Sequence, residues 1–209
     1  TPDRPGTWQL RLVVTDDAGN QSAPDNLSLI VTAGLPPFAL ERIASRKTHG
    51  AAGTFDLPLK QNVPVSGAVT VEPRISQAGH KIVFSFNQPV SSLSDVIATD
   101  ANGAEIGAAS ATIDGSDVVV SLAGIANARR VKVQLKGVNG ELDSAATVGF
   151  LFGDVNSSRL VDGSDVSAIK SRAGQVAGSG NFRFDVTANG VINVTDVLVV
   201  KFKQGATMP

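Results

Sequence analysis

The sequence contains no cysteine, no tyrosine and a single tryptophan among its 209 residues. Without cysteine, neither a disulfide framework nor a thiolate metal site can form. An excess of one charge sign is also lacking, because 18 Lys and Arg stand against 19 Asp and Glu. This balance gives no general attraction to nucleic acid or to an anionic membrane surface. Apolar runs of about 18 residues, which a membrane-spanning helix requires, do not occur.

Small and β-branched residues are abundant, and they form short alternating apolar runs between residues 39 and 150. Turn signals such as "DANG" at 100–103 and "VNGE" at 138–141 separate these runs. The spacing predicts seven to nine antiparallel strands in two sheets, which is an immunoglobulin-like β-sandwich. Within it, Phe84 and Phe86 are expected to face the core and Val83 to face outward. The predicted fold class is mainly β, with a small α-helical domain after the sandwich.

Residues 1–34 are predicted to form a β-hairpin. The runs "TWQLRLVVT" at 7–15 and "NLSLIVT" at 26–32 alternate apolar and polar residues. They resemble the last two strands of bacterial immunoglobulin-like or cadherin-like extracellular repeats. An isolated hairpin is marginal in water, so its apolar face should be covered by the rest of the chain or by another molecule, either another copy of the protein or another extracellular protein. The residues of this predicted partner-binding face are Trp8, Leu10, Leu12, Val14, Leu27, Leu29 and Val31.

The chain is predicted to comprise three parts: the hairpin at 1–34, the sandwich at 35–150 and a third segment at 151–209. "AGLPPF" at 33–38 is typical of a linker, because adjacent prolines stop strand pairing. Since the chain starts at Thr1 rather than at a methionine, we expect it to be a processed piece of a longer protein.

The third segment is a tandem duplication. Its halves align at an offset of 31 residues, which places Asp154 over Asp185 and Asp165 over Asp196. Each half is too short to bury its own apolar face, so the two should pack as a pair. Helices are expected at about 164–173 and 194–204.

Each half offers oxygen ligands at positions 1, 3, 5, 7, 9 and 12 of a twelve-residue loop, the spacing with which EF-hand loops wrap Ca²⁺. Both sets include a backbone carbonyl at position 7. They are Asp154, Asn156, Ser158, Leu160, Asp162 and Asp165 in the first loop, and Asp185, Thr187, Asn189, Val191, Asn193 and Asp196 in the second. The alternative is a pair of Asx-rich turns that cap two helices without a metal.

Both loops resemble the EF-hand-like calcium loops of type I dockerins, through "GDVN" at 153–156 and the D-x-x-x-N-G-x-I-N-x-x-D pattern at 185–196. The resemblance implies two calcium sites. It also implies a cohesin partner, contacted through faces that include loop positions 10 and 11. Those positions hold Gly163-Ser164 and Val194-Thr195. Their role at the start of a helix would account for these residues equally well. Arg159 departs from the pattern, because position 6 favours glycine at a sharp turn.

"SRKTHGAAGTFDLPL" at 45–59 and "GFLFGDVN" at 149–156 resemble the start and end of a module that precedes dockerin-like repeats in large secreted bacterial proteins. A secreted or cell-surface location is therefore expected. His49 invites a catalytic role, but no nucleophile motif such as G-x-S-x-G accompanies it. We expect His49 to be a turn histidine that hydrogen-bonds to backbone, and we predict that the protein is not an enzyme.

Three functions compete at this point. The first is an extracellular assembly module, stabilised by calcium, which self-associates through its N-terminal strands into a filament. The second is a dockerin that tethers an upstream protein to a cohesin. The third is the accessory end of a secreted polysaccharide-degrading enzyme. Carbohydrate binding has weak support, because the only tryptophan lies in the hairpin and tyrosine is absent.

Overall fold

The computed structural model describes residues 4–32, 34–75 and 78–209. It divides into two compact units, Thr1–Pro37 and Phe38–Pro209. Within the described residues, no helix has the length and apolar character needed to cross a bilayer.

The first unit is a two-stranded antiparallel sheet of β1 (Gly6–Leu12) and β2 (Asp25–Val31). Trp8 lies opposite Leu29 and Leu10 opposite Leu27, so these four residues share one face of the sheet. The Asp16 carboxylate accepts the N–H groups of Ala18 and Asn20, which closes the turn "DDAGN" at 16–20. Apart from Val31, which is half-buried, every strand residue of this unit is exposed.

The described residues of the second unit form nine strands in two sheets. Their bounds are β3 Leu40–Thr48, β4 Thr54–Pro58, β5 Thr70–Glu72, β6 His80–Phe86, β7 Asp95–Thr99, β8 Ala108–Asp114, β9 Asp117–Ala123, β10 Arg129–Val138 and β11 Leu142–Phe150. The sheet orders are β4-β3-β6-β9-β8 and β5-β11-β10-β7. All pairs are antiparallel except β11 with β5, which is parallel, so the expectation of purely antiparallel strands was wrong for that pair. A long excursion between β5 and β11 makes the parallel pairing possible.

One apolar cluster lies between the two sheets, with side chains from both. Phe84 and Phe86 of β6 belong to it, as predicted. Val83 faces outward, as predicted, but it is only 1% exposed. On the outer face of the sheet, Val83 lies beside Ala44 and Val119, and the Arg46–Asp56 ion pair occupies the same face. Side chains on this outer face therefore cover Val83.

The C-terminal part contains two helices, α1 (Gly163–Lys170) and α2 (Val194–Lys203). Both begin where the sequence predicts, but α1 ends three residues early, in a turn at 171–174. Single-turn 3₁₀ helices occur at Gly50–Ala52 and Phe182–Phe184. A second apolar cluster joins the buried helix faces to Val71 of β5 and to Leu151, which follows β11. The helices therefore pack directly against the end of the sandwich.

Candidate metal centre

The first and last carboxylates of loop one organise its backbone. The Asp154 carboxylate accepts the N–H of Ser158 at 3.0 Å and that of Arg159 at 2.9 Å. The Asp165 carboxylate accepts the N–H of Val155 at 3.0 Å and that of Asp162 at 3.0 Å. The two aspartates thus fold the twelve residues around themselves.

Loop two repeats this arrangement position by position. The Asp185 carboxylate accepts the N–H groups of Asn189 and Gly190, at 3.1 and 2.8 Å. The Asp196 carboxylate accepts those of Thr187 and Asn193, at 2.9 and 2.8 Å. Two sequences with different residues at most loop positions therefore adopt one backbone shape.

Positions 4 and 6 of both loops have positive φ. The angles are 64° at Ser157 and 70° at Arg159 in loop one, and 54° at Ala188 and 98° at Gly190 in loop two. A side chain in this left-handed region costs about 1–2 kcal/mol. Arg159 therefore adopts the sharp turn that glycine would make more easily, and the loop keeps its shape despite the substitution.

The same loops also cap the helices. Asp162 is the N-cap of α1 and Asn193 that of α2, and each forms a capping box with the aspartate three residues later. The Asp162 carboxylate accepts both the N–H and the hydroxyl of Ser164. The residue at position 9 of each loop therefore caps a helix, as the alternative interpretation of the sequence predicts.

Among the described residues, no cluster of three or more His, Cys, Asp or Glu side chains forms a candidate metal site. Each loop instead brings two carboxylates together with neutral oxygens. In loop two, the Thr187 hydroxyl lies 2.8 Å from Asp196 Oδ1 and 3.4 Å from Asp185 Oδ1. In loop one, the Ser158 hydroxyl lies 2.8 Å from the Leu160 carbonyl oxygen. Such an oxygen-only donor set fits Ca²⁺, which accepts carboxylate, amide and carbonyl oxygens together.

The electrostatics of the loops also fit a cation. Asp154, Asp165, Asp185 and Asp196 are all 0% exposed. Burial raises the pKa of Asp154, and the neighbouring Asp165 charge adds to this, although N–H donors and Arg183 oppose it. Burial likewise raises the pKa of Asp196. Among the described residues, only Asp185 of these four has an ion-pair partner. Buried carboxylates without counter-charge are costly, and a cation would relieve that cost.

The two halves hold each other through exchanged backbone bonds. Loop one pairs with the segment that follows α2: Val161 N–H donates to Ala206 O, and Gly205 N–H donates to Val161 O. Loop two pairs in the same way with the segment that follows α1. There Ile192 N–H donates to Gln175 O at 2.9 Å, and Gly174 N–H to Ile192 O at 2.8 Å. The two halves of the duplication are therefore joined as an interlocked pair by backbone hydrogen bonds.

Loop two has an additional support from the sandwich. His49, in the turn after β3, is 0% exposed, and its Nδ1 lies 2.7 Å from Asp185 Oδ2. The expectation that His49 hydrogen-bonds to backbone through its ring was wrong. Its ring nitrogens contact side chains instead, because the fold brings residue 185 onto this turn. Burial opposes ionisation of Asp185, but the hydrogen bond from His49 and the Gly190 N–H outweigh it and lower the Asp185 pKa.

Behind His49 lies a buried ion pair. Arg74 and Glu72 are both 0% exposed and make two charge-assisted bonds, Nε to Oε1 at 2.7 Å and Nη2 to Oε2 at 2.6 Å. Burial favours the neutral form of Glu72, but the charge and hydrogen bonds of Arg74 outweigh it and lower the Glu72 pKa to about 2. Arg74 Nη1 lies 3.2 Å from His49 Nε2, which joins the pair to the loop.

Lys47 and His80 complete this buried group. Lys47 Nζ donates to the carbonyls of Arg74 and Ile75 and lies 3.2 Å from His80 Nδ1. Burial lowers the pKa of Lys47 to about 8, and burial together with the Lys47 charge lowers that of His80 to about 4. Sequence reasoning missed this group. The only available signal was the presence of two histidines and several charges in strands that otherwise predict a core.

A comparison with protein families identifies the C-terminal part. A family model described as the dockerin type I domain matches residues 152–203. Residues 152–203 form a type I dockerin domain. No curated protein matches the chain. Type I dockerins are non-catalytic modules that bind calcium and a protein partner, a cohesin, and the proteins that carry them are typically extracellular or attached to the cell surface.

The dockerin presents loop positions 10 and 11 to solvent in both halves. Ser164 and Thr195 each donate a hydroxyl hydrogen bond to the N-cap of their helix. Beyond them the halves differ. On α2, Val194, Leu198 and Phe202 form an exposed apolar ridge, with 66%, 46% and 84% exposure. The corresponding α1 positions, 31 residues earlier, are Gly163, Ser167 and Ser171.

The predicted partner-binding residues of the hairpin are also accessible. Trp8 is 40% exposed, Leu10 49% and Leu29 38%. Val14 lies outside the strands, beyond the end of β1. The remaining members range from half-buried Val31 to Leu12 and Leu27, each 64% exposed.

Proposed function

We propose that this protein is an extracellular, non-catalytic tethering module, whose dockerin binds a cohesin on another protein when its loops hold calcium. The interlocked pair of matching loops carries the proposal, because both halves have the backbone shape and oxygen donors that the family uses. The proposed parts are a hairpin at 1–34, a sandwich at 35–150 and the dockerin at 151–209. In the sandwich, the buried group around Arg74 is enclosed and mutually paired, which supports a structural rather than a catalytic role.

Each loop is proposed to bind one calcium ion through positions 1, 3, 5, 7, 9 and 12. The first set is Asp154, Asn156, Ser158, Leu160, Asp162 and Asp165, and the second is Asp185, Thr187, Asn189, Val191, Asn193 and Asp196. The burial of four aspartates, three of which have no ion-pair partner among the described residues, supports this assignment. Calcium would supply the missing positive charge and fix the start of each helix.

The α2 surface is the better candidate for the cohesin contact. Its ridge of Val194, Leu198 and Phe202 can bury apolar surface on a partner, whereas the matching α1 face offers only glycine and serine. Sequence duplication makes the two loops equivalent in shape, but this difference gives the dockerin one favoured orientation.

Calorimetric titration of the full chain tests the proposal. We expect two calcium ions to bind, and a type I cohesin from a representative panel to bind only in the presence of calcium. Asp154→Asn and Asp185→Asn should each remove one calcium site, while Asp143→Asn, a matched change at an exposed surface pair, should remove neither. Absence of calcium binding by the wild-type chain would contradict the proposal.

Self-association through the hairpin is a second candidate function. The observation that favours it is the apolar face of a two-stranded sheet, whose strands each have an edge open to pairing. Strand addition by another copy would bury Trp8 and Leu10, and a head-to-tail contact of this kind propagates. Deleting residues 1–34 should then convert a concentration-dependent oligomer into a monomer, as measured by light scattering. A full chain that is monomeric at all concentrations would exclude this candidate.

A further inference from the structure

Among the described residues, the turn that follows β3 contacts loop two and not loop one. His49 Nδ1 lies 2.7 Å from Oδ2 of Asp185, the first residue of loop two. The equivalent carboxylate in loop one, Asp154, accepts only backbone N–H groups among the described residues. The chain has only two histidines, and the other one, His80, contacts Lys47. The contact therefore distinguishes two loops that are otherwise alike.

The backbones at this contact also fit closely. Gly190, at position 6 of loop two, has φ +98°, and a Cβ there would lie 2.8 Å from the His49 carbonyl oxygen. Gly50 has φ +48°, and a Cβ there would collide with the Asn189 carbonyl. Two glycines thus permit an approach that any side chain would prevent. The loop and the turn are held in a single relative position.

The hydrogen bonds determine which nitrogen of His49 carries the proton. Arginine can only donate, so Arg74 Nη1, at 3.2 Å, requires Nε2 to be the acceptor. Nδ1 must therefore carry the hydrogen and donate it to Asp185 Oδ2. The ring itself is fixed by edge contacts with Phe55 and Phe182, at centroid distances of 5.4 and 6.1 Å.

This donation is made to Oδ2 of Asp185, whereas Oδ1 lies near another oxygen of the loop. Oδ1 of Asp185 lies 3.4 Å from the Thr187 hydroxyl, which in turn lies 2.8 Å from Asp196 Oδ1. These three oxygens belong to positions 1, 3 and 12, which are proposed calcium ligands. His49 therefore holds the Asp185 carboxylate in a fixed orientation relative to the other donors.

We propose that His49 is a positioning residue for the second calcium site, so that the sandwich sets the calcium affinity of loop two but not that of loop one. The inference rests on the proposed calcium binding. Partners that orient a metal-binding carboxylate typically contribute 10–100-fold in affinity. A series of side-chain contacts connects the sandwich to the loop, from Glu72 through Arg74 and His49 to Asp185.

Two substitutions of His49 separate the roles of its nitrogens. His49→Gln places a polar group roughly where Nε2 lies, so it keeps the Arg74 contact and loses the donor to Asp185. His49→Asn places an amide NH₂ roughly where Nδ1 lies, so it keeps that donor. We expect His49→Gln to weaken calcium binding at loop two about 10–100-fold. His49→Asn should restore most of the affinity, and loop one should be unaffected by either change.

The measurement is calcium titration of the full chain. Loop two is isolated in a background with Asp154→Asn and Asp165→Asn, and loop one in a background with Asp185→Asn and Asp196→Asn. His80→Gln is the control for loss of a buried histidine away from the loops. Equal weakening of both loops, or no rescue by His49→Asn, would show that His49 acts only on folding and would overturn the inference.

The proton position gives an independent readout if the glutamine variant does not fold. In the wild-type chain, ¹H–¹⁵N correlation of the imidazoles should show His49 protonated at Nδ1, and Nε2 protonation would contradict the inference. If the wild-type chain binds calcium and the His49 variants bind it at loop two with the same affinity, this inference alone is refuted. If the wild-type chain binds no calcium, the proposed function is refuted as well.

Discussion

Single residues decide how the second loop fits against the sandwich. Gly190 combines two constraints, since its backbone has positive φ and its α-carbon faces the turn at His49. Gly174 has nearly the same φ, 89° against 98°, but no atom lies within 4 Å of the position that a Cβ would occupy. The two glycines therefore separate the cost of backbone strain from the cost of close contact.

Gly190→Ala should destabilise the protein more than Gly174→Ala. Both variants place a non-glycine residue at positive φ, which lowers the free energy of unfolding by about 1–2 kcal/mol. Only Gly190→Ala also pushes loop two away from His49. We expect denaturant unfolding to show a further loss of about 1–3 kcal/mol, the usual cost of overpacking. Equal losses in the two variants would mean that the loop and the turn are not in close contact.

The Glu72–Arg74 pair gives a pH-dependent prediction. The folded-state pKa of Glu72, about 2, lies below the ordinary value of 4.5. Its stabilising contribution should therefore be fully present above pH 4.5 and be lost as the pH falls towards 2. At pH 7, Glu72→Gln should cost about 3–5 kcal/mol, because it leaves Arg74 buried without a partner.

Denaturant unfolding at several pH values measures this effect as the difference between wild type and Glu72→Gln. The difference should shrink between pH 4.5 and 2. Asp143→Asn is the matched control, since it removes an exposed ion pair with Lys136 and should change stability by less than about 1 kcal/mol. A pH-independent difference for Glu72→Gln would indicate that the pair does not stabilise the folded state through charge.

At the scale of elements, α1 and α2 are repeats with different exposed faces. Both start from a capping box. Each buries the aspartate at position 12, the valine that follows it and an aliphatic residue three positions further on, which is Ile169 in α1 and Val200 in α2. Their outer faces diverge because no contact inside the dockerin constrains them. The two halves therefore offer different surfaces to the proposed cohesin partner, an apolar ridge on α2 and glycine and serine on α1.

Replacing the ridge by its α1 counterpart should abolish cohesin binding without unfolding the dockerin. The variant Val194→Gly, Leu198→Ser, Phe202→Ser carries the residues found 31 positions earlier. Removal of three exposed apolar side chains should weaken the complex at least 100-fold, since anchors of this kind cost about 1–3 kcal/mol each. Calcium affinity should change little, as judged by titration.

The reciprocal change on α1, Ser167→Leu with Ser171→Phe, is the control for α2 specificity. If the proposed orientation is correct, this variant should bind cohesin with unchanged affinity through its intact α2. Loss of binding after changes on α1, with retention after changes on α2, would reverse the orientation.

At the scale of the whole molecule, the sandwich and the dockerin form one compact unit, Phe38–Pro209. The apolar cluster of the helices includes Val71 and Leu151 from the end of the sandwich. The buried chain from Glu72 to Asp185 crosses the same junction. A change that stabilises the dockerin should therefore also raise the free energy of unfolding of the sandwich, and the reverse should hold.

Calcium should raise the melting temperature of the sandwich together with that of the dockerin. A ligand that binds only the folded state adds about 2.7 kcal/mol at 100 times its dissociation constant. Scanning calorimetry of the full chain should show one main transition of the second unit that shifts with calcium. The Asp185→Asn variant should lose the shift due to loop two. A calcium-sensitive dockerin transition beside an unmoved sandwich transition would contradict the coupling.

Periodicity and repetition were sufficient to predict most of this protein. Alternation predicts strands because successive side chains face opposite sides, and it correctly placed Phe84 and Phe86 in the core. The 31-residue repeat predicted two loops and two helices, because a loop that wraps around its own carboxylates is determined by local spacing. The ligand roles of the loop residues remain predictions.

Only the tertiary structure decided the relations between distant segments. Val83 is covered because neighbouring strands bring their side chains over it, and β5 pairs in parallel because the chain returns from far away. His49 meets Asp185 across 136 residues of sequence. No local pattern encodes such a contact, since it depends on how two separately folded surfaces fit. The sequence by itself determined the elements and the loops, and the packing of those elements determined which loop the sandwich supports.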